Sequence, residues 1–169
     1  VENIEEILNR KKSEFFIEIA NDNSNGQIVL SGKNKDLEKL SDFLKEKNIK
    51  NVKLAVSAPF HCNLMSKATE IMKIEIENTN FKDFKNILIS NVTANEVLNK
   101  NDLKKLLINQ IENRVRWRES IIFMIEKGVQ SFIEIGPGKV LSGLIKRIDK
   151  NVKIRTINSI DDIKNFKNE

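Results

Sequence analysis

His61 is the only histidine in the 169-residue chain. It follows Ser57-Ala58-Pro59-Phe60, where a strand is expected to end and a helix to begin. Ligands of parallel α/β sheets bind at the C-terminal ends of strands. An imidazole there can serve as general base, because its ordinary pKa of about 6.5 lies near working pH. The same position also suits a histidine that only caps a helix or fills a gap. Gly136-Pro137-Gly138 likewise joins a strand to a helix. Its glycines permit a tight turn, and the helix N-terminus behind them could hold an anion, or the segment could be a plain connection. Cys62, the single cysteine, adjoins His61. Neighbours on a helix do not face each other, so the two do not form a ready thiol–imidazole dyad. Gln110 is a polar residue in a helix, and Trp117 is expected in the core. No Gly-x-Ser-x-Gly occurs in the sequence. If His61 is a base, its nucleophile lies outside this chain.

The elements that must position these residues follow from periodicity. Residues 2–12 predict a helix with Ile4, Ile7 and Leu8 on one face, and 34–47 another with Leu37, Leu40, Phe43 and Leu44. Strands are expected at 14–20 and 27–31, joined by a turn over Asn21–Gly26, and a third strand at 52–56. Then come a helix over 61–77, a strand at 86–90 and helices at 102–113 and 116–127. A strand at 130–135, a helix at 139–149, a strand at 152–157 and a last helix at 161–168 complete the order. The leading α-β-β-α-β order fits a ferredoxin-like unit short of its first strand. The later alternation of strand and helix argues for a mostly parallel sheet.

Composition narrows the classes. Hydrophobic residues are 40% and charged residues 31%, as in a globular, soluble chain. Lys and Arg number 29 against 24 Asp and Glu, a net +5, and the basic residues are spread out. That balance fits an acidic protein or a phosphorylated ligand such as coenzyme A as well as nucleic acid. One cysteine allows no internal disulfide, and the cytoplasm is the expected compartment. No apolar stretch approaches a membrane span. Val1 in place of Met, opening what reads as a helix, points to a processed protein or a fragment.

Several segments together resemble one family. Leu54-Ala55-Val56-Ser57-Ala58-Pro59-Phe60-His61-Cys62-Asn63-Leu64-Met65 is similar to the stretch of acyltransferase domains that presents the catalytic histidine. Glu134-Ile135-Gly136-Pro137-Gly138-Lys139-Val140-Leu141 and its continuation to Ile148 resemble the E-[IV]-G-P-G-K-V-L segment of the same family. Asn21–Val29, Ser90-Asn91-Val92 and Gln110–Trp117 fall in the expected order. The resemblance is to malonyl-CoA:acyl carrier protein transacylases and spans essentially the whole chain.

The resemblance implies a ping-pong transfer of malonyl from malonyl-CoA, through an acyl-serine, to the phosphopantetheine thiol of acyl carrier protein in type II fatty-acid synthesis. His61 matches the base. The position matching Gln110 offers a main-chain carbonyl to the other imidazole nitrogen, in place of a third acidic residue. Phe60 matches a bulky residue associated with malonyl selectivity, and Asn23 a residue near the acyl pocket. No cofactor is implied beyond coenzyme A as the thioester carrier. The serine elbow, the oxyanion element and a carboxylate-binding arginine would lie upstream, in a missing N-terminal half that would be this chain's partner.

Residues 1–56 would then be most of the ferredoxin-like small subdomain. Residues 57–169 would be the C-terminal part of an α/β-hydrolase-like core. Asn25 and Arg114 stand where the family commonly has proline, which bears on local rigidity. Two rivals remain. A truncated, non-catalytic chain could only dock acyl carrier protein, with Lys139, Lys146 and Arg147 as contacts. A ferredoxin-like RNA binder would need aromatics beside a strand glycine, which Glu14-Phe15-Phe16 lacks.

Overall fold

The computed structural model describes residues 2–167. The end of the expected last helix, Asn168, lies outside them. The described residues form seven α-helices and six short strands, the strands paired in three two-stranded sheets. Helix α1 (Glu2–Arg10) precedes an antiparallel pair, β1 (Ile17–Ser24) and β2 (Gln27–Gly32), and helix α2 (Asn34–Glu46). Leu40 and Leu44 of α2 and Ile17 of β1 are buried together, with Ile4, Ile7 and Leu8 of α1 packed against them. The apolar stripes legible in both helices are thus the faces that make this first core. Burying a leucine such as Leu40 stabilises by about 1.5–3 kcal/mol.

Strand β1 runs four residues beyond its expected end. Asn21–Ser24 were expected in a turn, but they continue the strand, and only Asn25-Gly26 separate it from β2. The reason is non-local. Asp22 is fully buried and its N–H donates to the Val115 carbonyl at 2.9 Å. The Val115 N–H donates to the Ala20 carbonyl at 2.8 Å, so a distant segment supplies the hydrogen bonds that keep these polar residues extended. The pairing with β2 is irregular at Ile19/Asn21 and at Asp22/Ser24. At its far end Gly32 lies so close to Phe16 that an added Cβ would sit 2.3 Å from the Phe16 carbonyl oxygen.

The strand expected at 52–56 does not form. Val52, Leu54 and Val56 are β-formers by type, yet they stand exposed with no strand beside them among the described residues. Strand propensity without a partner does not hold a ladder. The chain then enters a short 3₁₀ turn at Asn63–Met65 and helix α3 (Ser66–Asn78), so the helix expected from His61 starts later. The strand expected at 86–90 shrinks to β3 (Ile89–Ser90), paired antiparallel with β4 (Asn95–Glu96).

Helix α4 (Lys100–Gln110) is capped by Asn99, whose side chain accepts from the N–H groups of Asn101 and Asp102. After helix α5 (Trp117–Glu126), strand β5 (Ser131–Ile135), helix α6 (Val140–Ile148) and strand β6 (Lys153–Ile157) form a parallel β-α-β unit. Ile121, Ile145 and Val152 are its buried centre, and Trp117, Phe132 and Ile154 pack around them. Helix α7 (Ile160–Lys167) ends the described chain. The expected α/β class is therefore observed. The mostly parallel sheet is not: only β5–β6 is parallel, and the other two pairs are antiparallel.

Candidate active site

His61 lies in the loop between residues 57 and 62, before the 3₁₀ turn, with φ at +58°. Left-handed backbone is uncommon for a residue with a Cβ and persists where the surroundings over-determine it. Three contacts do so. His61 Nδ1 lies 2.8 Å from the main-chain carbonyl oxygen of Gln110, at the end of α4. A carbonyl can only accept, so Nδ1 carries the proton and donates it. In the neutral ring that leaves Nε2 with its lone pair, the form a general base needs. Next, the Cys62 thiol donates to the Pro59 carbonyl at 3.2 Å and is fully buried. Finally, the Asn63 N–H and its Nδ2 donate to the two oxygens of Glu18 on β1, at 2.9 Å and 2.7 Å.

The segment after α4 is braced as well. The Gln110 side chain donates to the Asn113 carbonyl at 2.9 Å, and Asn113 Nδ2 donates to the Asn109 carbonyl at 2.7 Å. Arg114, where a proline was expected, is bonded to Glu5 of α1 at 2.7 Å and lies 3.6 Å from Glu119. Ion pairs to two helices replace the stiffness of a proline ring. Deeper in, Arg118 of α5 meets both oxygens of Asp22, with Nε at 3.1 Å and 2.9 Å. These bonds to Asp22 hold the Arg118 guanidinium above its ordinary pKa.

An open groove of about 540 Å³ runs beside His61. It is lined by Leu8 of α1, Lys12 in the turn after it, Ile17 and Glu18 of β1, His61, Asn63 and Arg114, among others. The structure brings two of the four sequence-predicted site residues together, His61 and Gln110. Phe60 is about half exposed and does not line the groove, and neither does Asn23, half-buried on β1. Cys62, sealed from solvent, is not an accessible nucleophile.

Two residues with clear local roles carried no signal that had been used. Glu18 is one. The other is Glu134 on β5, whose carboxylate accepts from the N–H groups of Leu141 and Ser142 at 3.1 Å and 2.7 Å. The helix N-terminus behind Gly136-Pro137-Gly138, considered above as an anion site, is thus filled by the chain's own acid. Gly136 and Gly138 adopt φ of +133° and +91°, which lets the turn close that short circuit. Ser142 and then the N–H of Leu141 hold the Glu134 carboxyl below its ordinary value. A carboxylate six residues ahead of a helix start, across a Gly-x-Gly turn, is the pattern that could have revealed it.

Lys146 and Arg147 are engaged within the chain. Lys146 Nζ donates to the carbonyls of Lys150 and Val152 at 3.1 Å and 2.8 Å, and Arg147 bonds Gln27 of β2. Basic residues at a helix C-terminus are favourably placed in this way.

No family model matches the chain. Curated relatives do. The malonyl CoA-acyl carrier protein transacylase of Bacillus subtilis is 45% identical over 139 residues, covering 82% of this chain and 44% of that protein. The chain is homologous to the malonyl CoA-acyl carrier protein transacylases. The Staphylococcus aureus transacylase is 40% identical over 152 residues, 89% of this chain and 49% of its own length. The solved transacylase of Clostridium perfringens superposes with a TM-score of 0.91 at 38% identity, covering 99% of this chain and 53% of that one. A malonyl-transacylase solved in complex with a type II PKS acyl-carrier protein matches at TM-score 0.91 and 30% identity, over 100% of this chain and 55% of that one. The chain thus spans about half the length of the transacylases it matches. No helix among the described residues is long and apolar enough to cross a membrane.

Proposed function

We propose that this chain supplies the general-base half of a malonyl-CoA:acyl carrier protein transacylase. The observation that carries the reading is the bond from His61 Nδ1 to the Gln110 carbonyl. It fixes one tautomer and one ring orientation, the work an aspartate does in a Ser-His-Asp triad. Nε2 is then the atom that takes the proton from a serine hydroxyl as the serine attacks the malonyl thioester. The imidazolium returns that proton to the departing coenzyme A thiolate. In the second half-reaction Nε2 deprotonates the phosphopantetheine thiol of acyl carrier protein, the thiolate takes malonyl from the serine, and the imidazolium returns the proton to the departing serine oxygen. The serine would come from an upstream half of the same enzyme. Coenzyme A takes part only as the carrier of the substrate.

The exposed apolar face of the chain supports a missing partner. Ile135 on β5 is 79% exposed, Ile133 beside it is also exposed, and Val52, Leu54 and Val56 stand unpartnered. Faces of this kind mark an interface. An upstream half packed there would extend the β5–β6 sheet and bring a strand-to-helix serine toward His61. In this reading residues 1–56 belong to a ferredoxin-like small subdomain, residues 57–169 to the hydrolase-like core, and the enzyme works in the cytoplasm. Phe60 and Asn23 would border the acyl pocket once the upstream half is in place. In the alternative, a chain that only docks acyl carrier protein, two of the three suggested contacts would have to serve it while keeping bonds of their own. Lys146 and Arg147 already serve internal bonds.

The test is transfer of malonyl from malonyl-CoA to acyl carrier protein. It compares this chain, the same chain extended upstream from its gene, and the two halves expressed together. The reading expects transfer by the extended protein and none by the 169-residue chain alone. An extended protein that transfers nothing would return the docking reading to the front.

A further inference from the structure

We propose that Glu18 is a positioning residue for His61. The inference rests on the reading of His61 as the base and adds a residue to it. The loop that carries His61 is held in two ways. Cys62, the residue after His61, is bonded to Pro59 within the loop itself. Asn63, the first residue of the 3₁₀ turn, is gripped by Glu18 through two bonds at once, one from its backbone N–H and one from its side-chain amide.

The partners are 45 residues apart, so the grip joins the loop to another element, strand β1. An ionised acceptor makes such bonds shorter and stronger than a neutral one. The carboxylate also satisfies an N–H at the start of a helical turn, where negative charge is favoured. Strand β1 is itself held, four residues on, by the buried Asp22–Arg118 pair.

The geometric consequence falls on His61. Its left-handed backbone puts the ring where Nδ1 can reach Gln110. That conformation is costly for a non-glycine residue and relaxes if one end of the loop is freed. Glu18 ties the loop to another element, which the Cys62–Pro59 bond, internal to the loop, does not. Without it, His61 can return to an ordinary backbone conformation, and the Gln110 bond then has no fixed donor. A carboxylate that merely decorates the 3₁₀ turn would leave the ring untouched, and this difference can be measured.

Because His61 is the only histidine, its ring nitrogens give the only imidazole signals in a ¹⁵N NMR spectrum of this chain. In its neutral form the ring of the wild-type chain is expected to show Nδ1 protonated and Nε2 bare. In Glu18→Ala the two nitrogen shifts should move toward each other as both tautomers become populated. Glu18→Gln, isosteric but with one acceptor oxygen, and Asn63→Ala, which keeps the N–H limb, should fall between. If Glu18→Ala does not fold, those two milder variants decide. Wild-type nitrogen shifts retained in all variants that fold would overturn the positioning role, while leaving His61 as base intact. A wild-type ring protonated on Nε2 would overturn both. The transfer assay above tests the base reading separately.

Discussion

Asp22, wholly shut from solvent, meets the guanidinium of Arg118, 96 residues further along the chain, which reaches both carboxylate oxygens through Nε and one of them also through Nη2 at 2.9 Å. The pair fastens β1, which carries Glu18, to α5. Removing one partner of a buried pair strands the other's charge. Arg118→Ala is therefore expected to cost about 3 kcal/mol of unfolding free energy. The exposed Arg10–Glu6 pair should matter by less than about 1 kcal/mol. Urea denaturation of the two variants measures the contrast. Equal small losses would mean that Asp22 finds water or another donor.

The main-chain nature of the Gln110 contact gives an unusual expectation. Gln110→Ala keeps the carbonyl that His61 uses and removes only the side-chain bond to Asn113. The His61 tautomer should stay as in wild type, with a stability loss of about 0.5–1.5 kcal/mol. A shifted ring spectrum would show that the amide side chain, and not only the carbonyl, sets the histidine.

Glu134 supplies a pH dependence. Its folded pKa lies below the ordinary value, so the folded state binds fewer protons there than the unfolded chain. Its stabilisation is fully present above the ordinary carboxylate range and is lost as pH falls through the lowered folded value. Glu134→Gln should thus lower the urea midpoint at neutral pH, and the gap to wild type should close in acid. A gap that stays constant with pH would mean that the charge of Glu134 does nothing for the α6 N-terminus.

Cys62 should react slowly with a thiol reagent in the native chain and quickly once unfolded, because it has no exposed surface. Cys62→Ser, which keeps a donor for the Pro59 carbonyl, should keep transfer activity in the upstream-extended protein. Activity lost in a folded Cys62→Ser would revive the thiol as a participant.

What could be read in the sequence was local. The spacing of Leu37, Leu40 and Leu44 placed the buried face of α2, and the order of the later segments placed the parallel β-α-β unit. What escaped was set by distant partners. Asn21–Ser24 look like a turn, and become strand because Val115 and Arg118 meet them. Val52–Val56 look like a strand, and have no neighbour to pair with among the described residues. At the site, the His61–Gln110 contact was expected from resemblance alone. Nothing in the spacing of Glu18 and Asn63 announces that they touch, because only the folded path of β1 brings them together.

The central claim is that His61 acts as the base of an acyl transfer. It is tested most directly by its replacement with alanine in the upstream-extended protein, with the circular dichroism spectrum matched to wild type. A lost general base should lower kcat/KM for malonyl transfer to acyl carrier protein by roughly 10²–10⁴-fold. A folded His61→Ala protein that transfers malonyl at the wild-type rate would contradict the account.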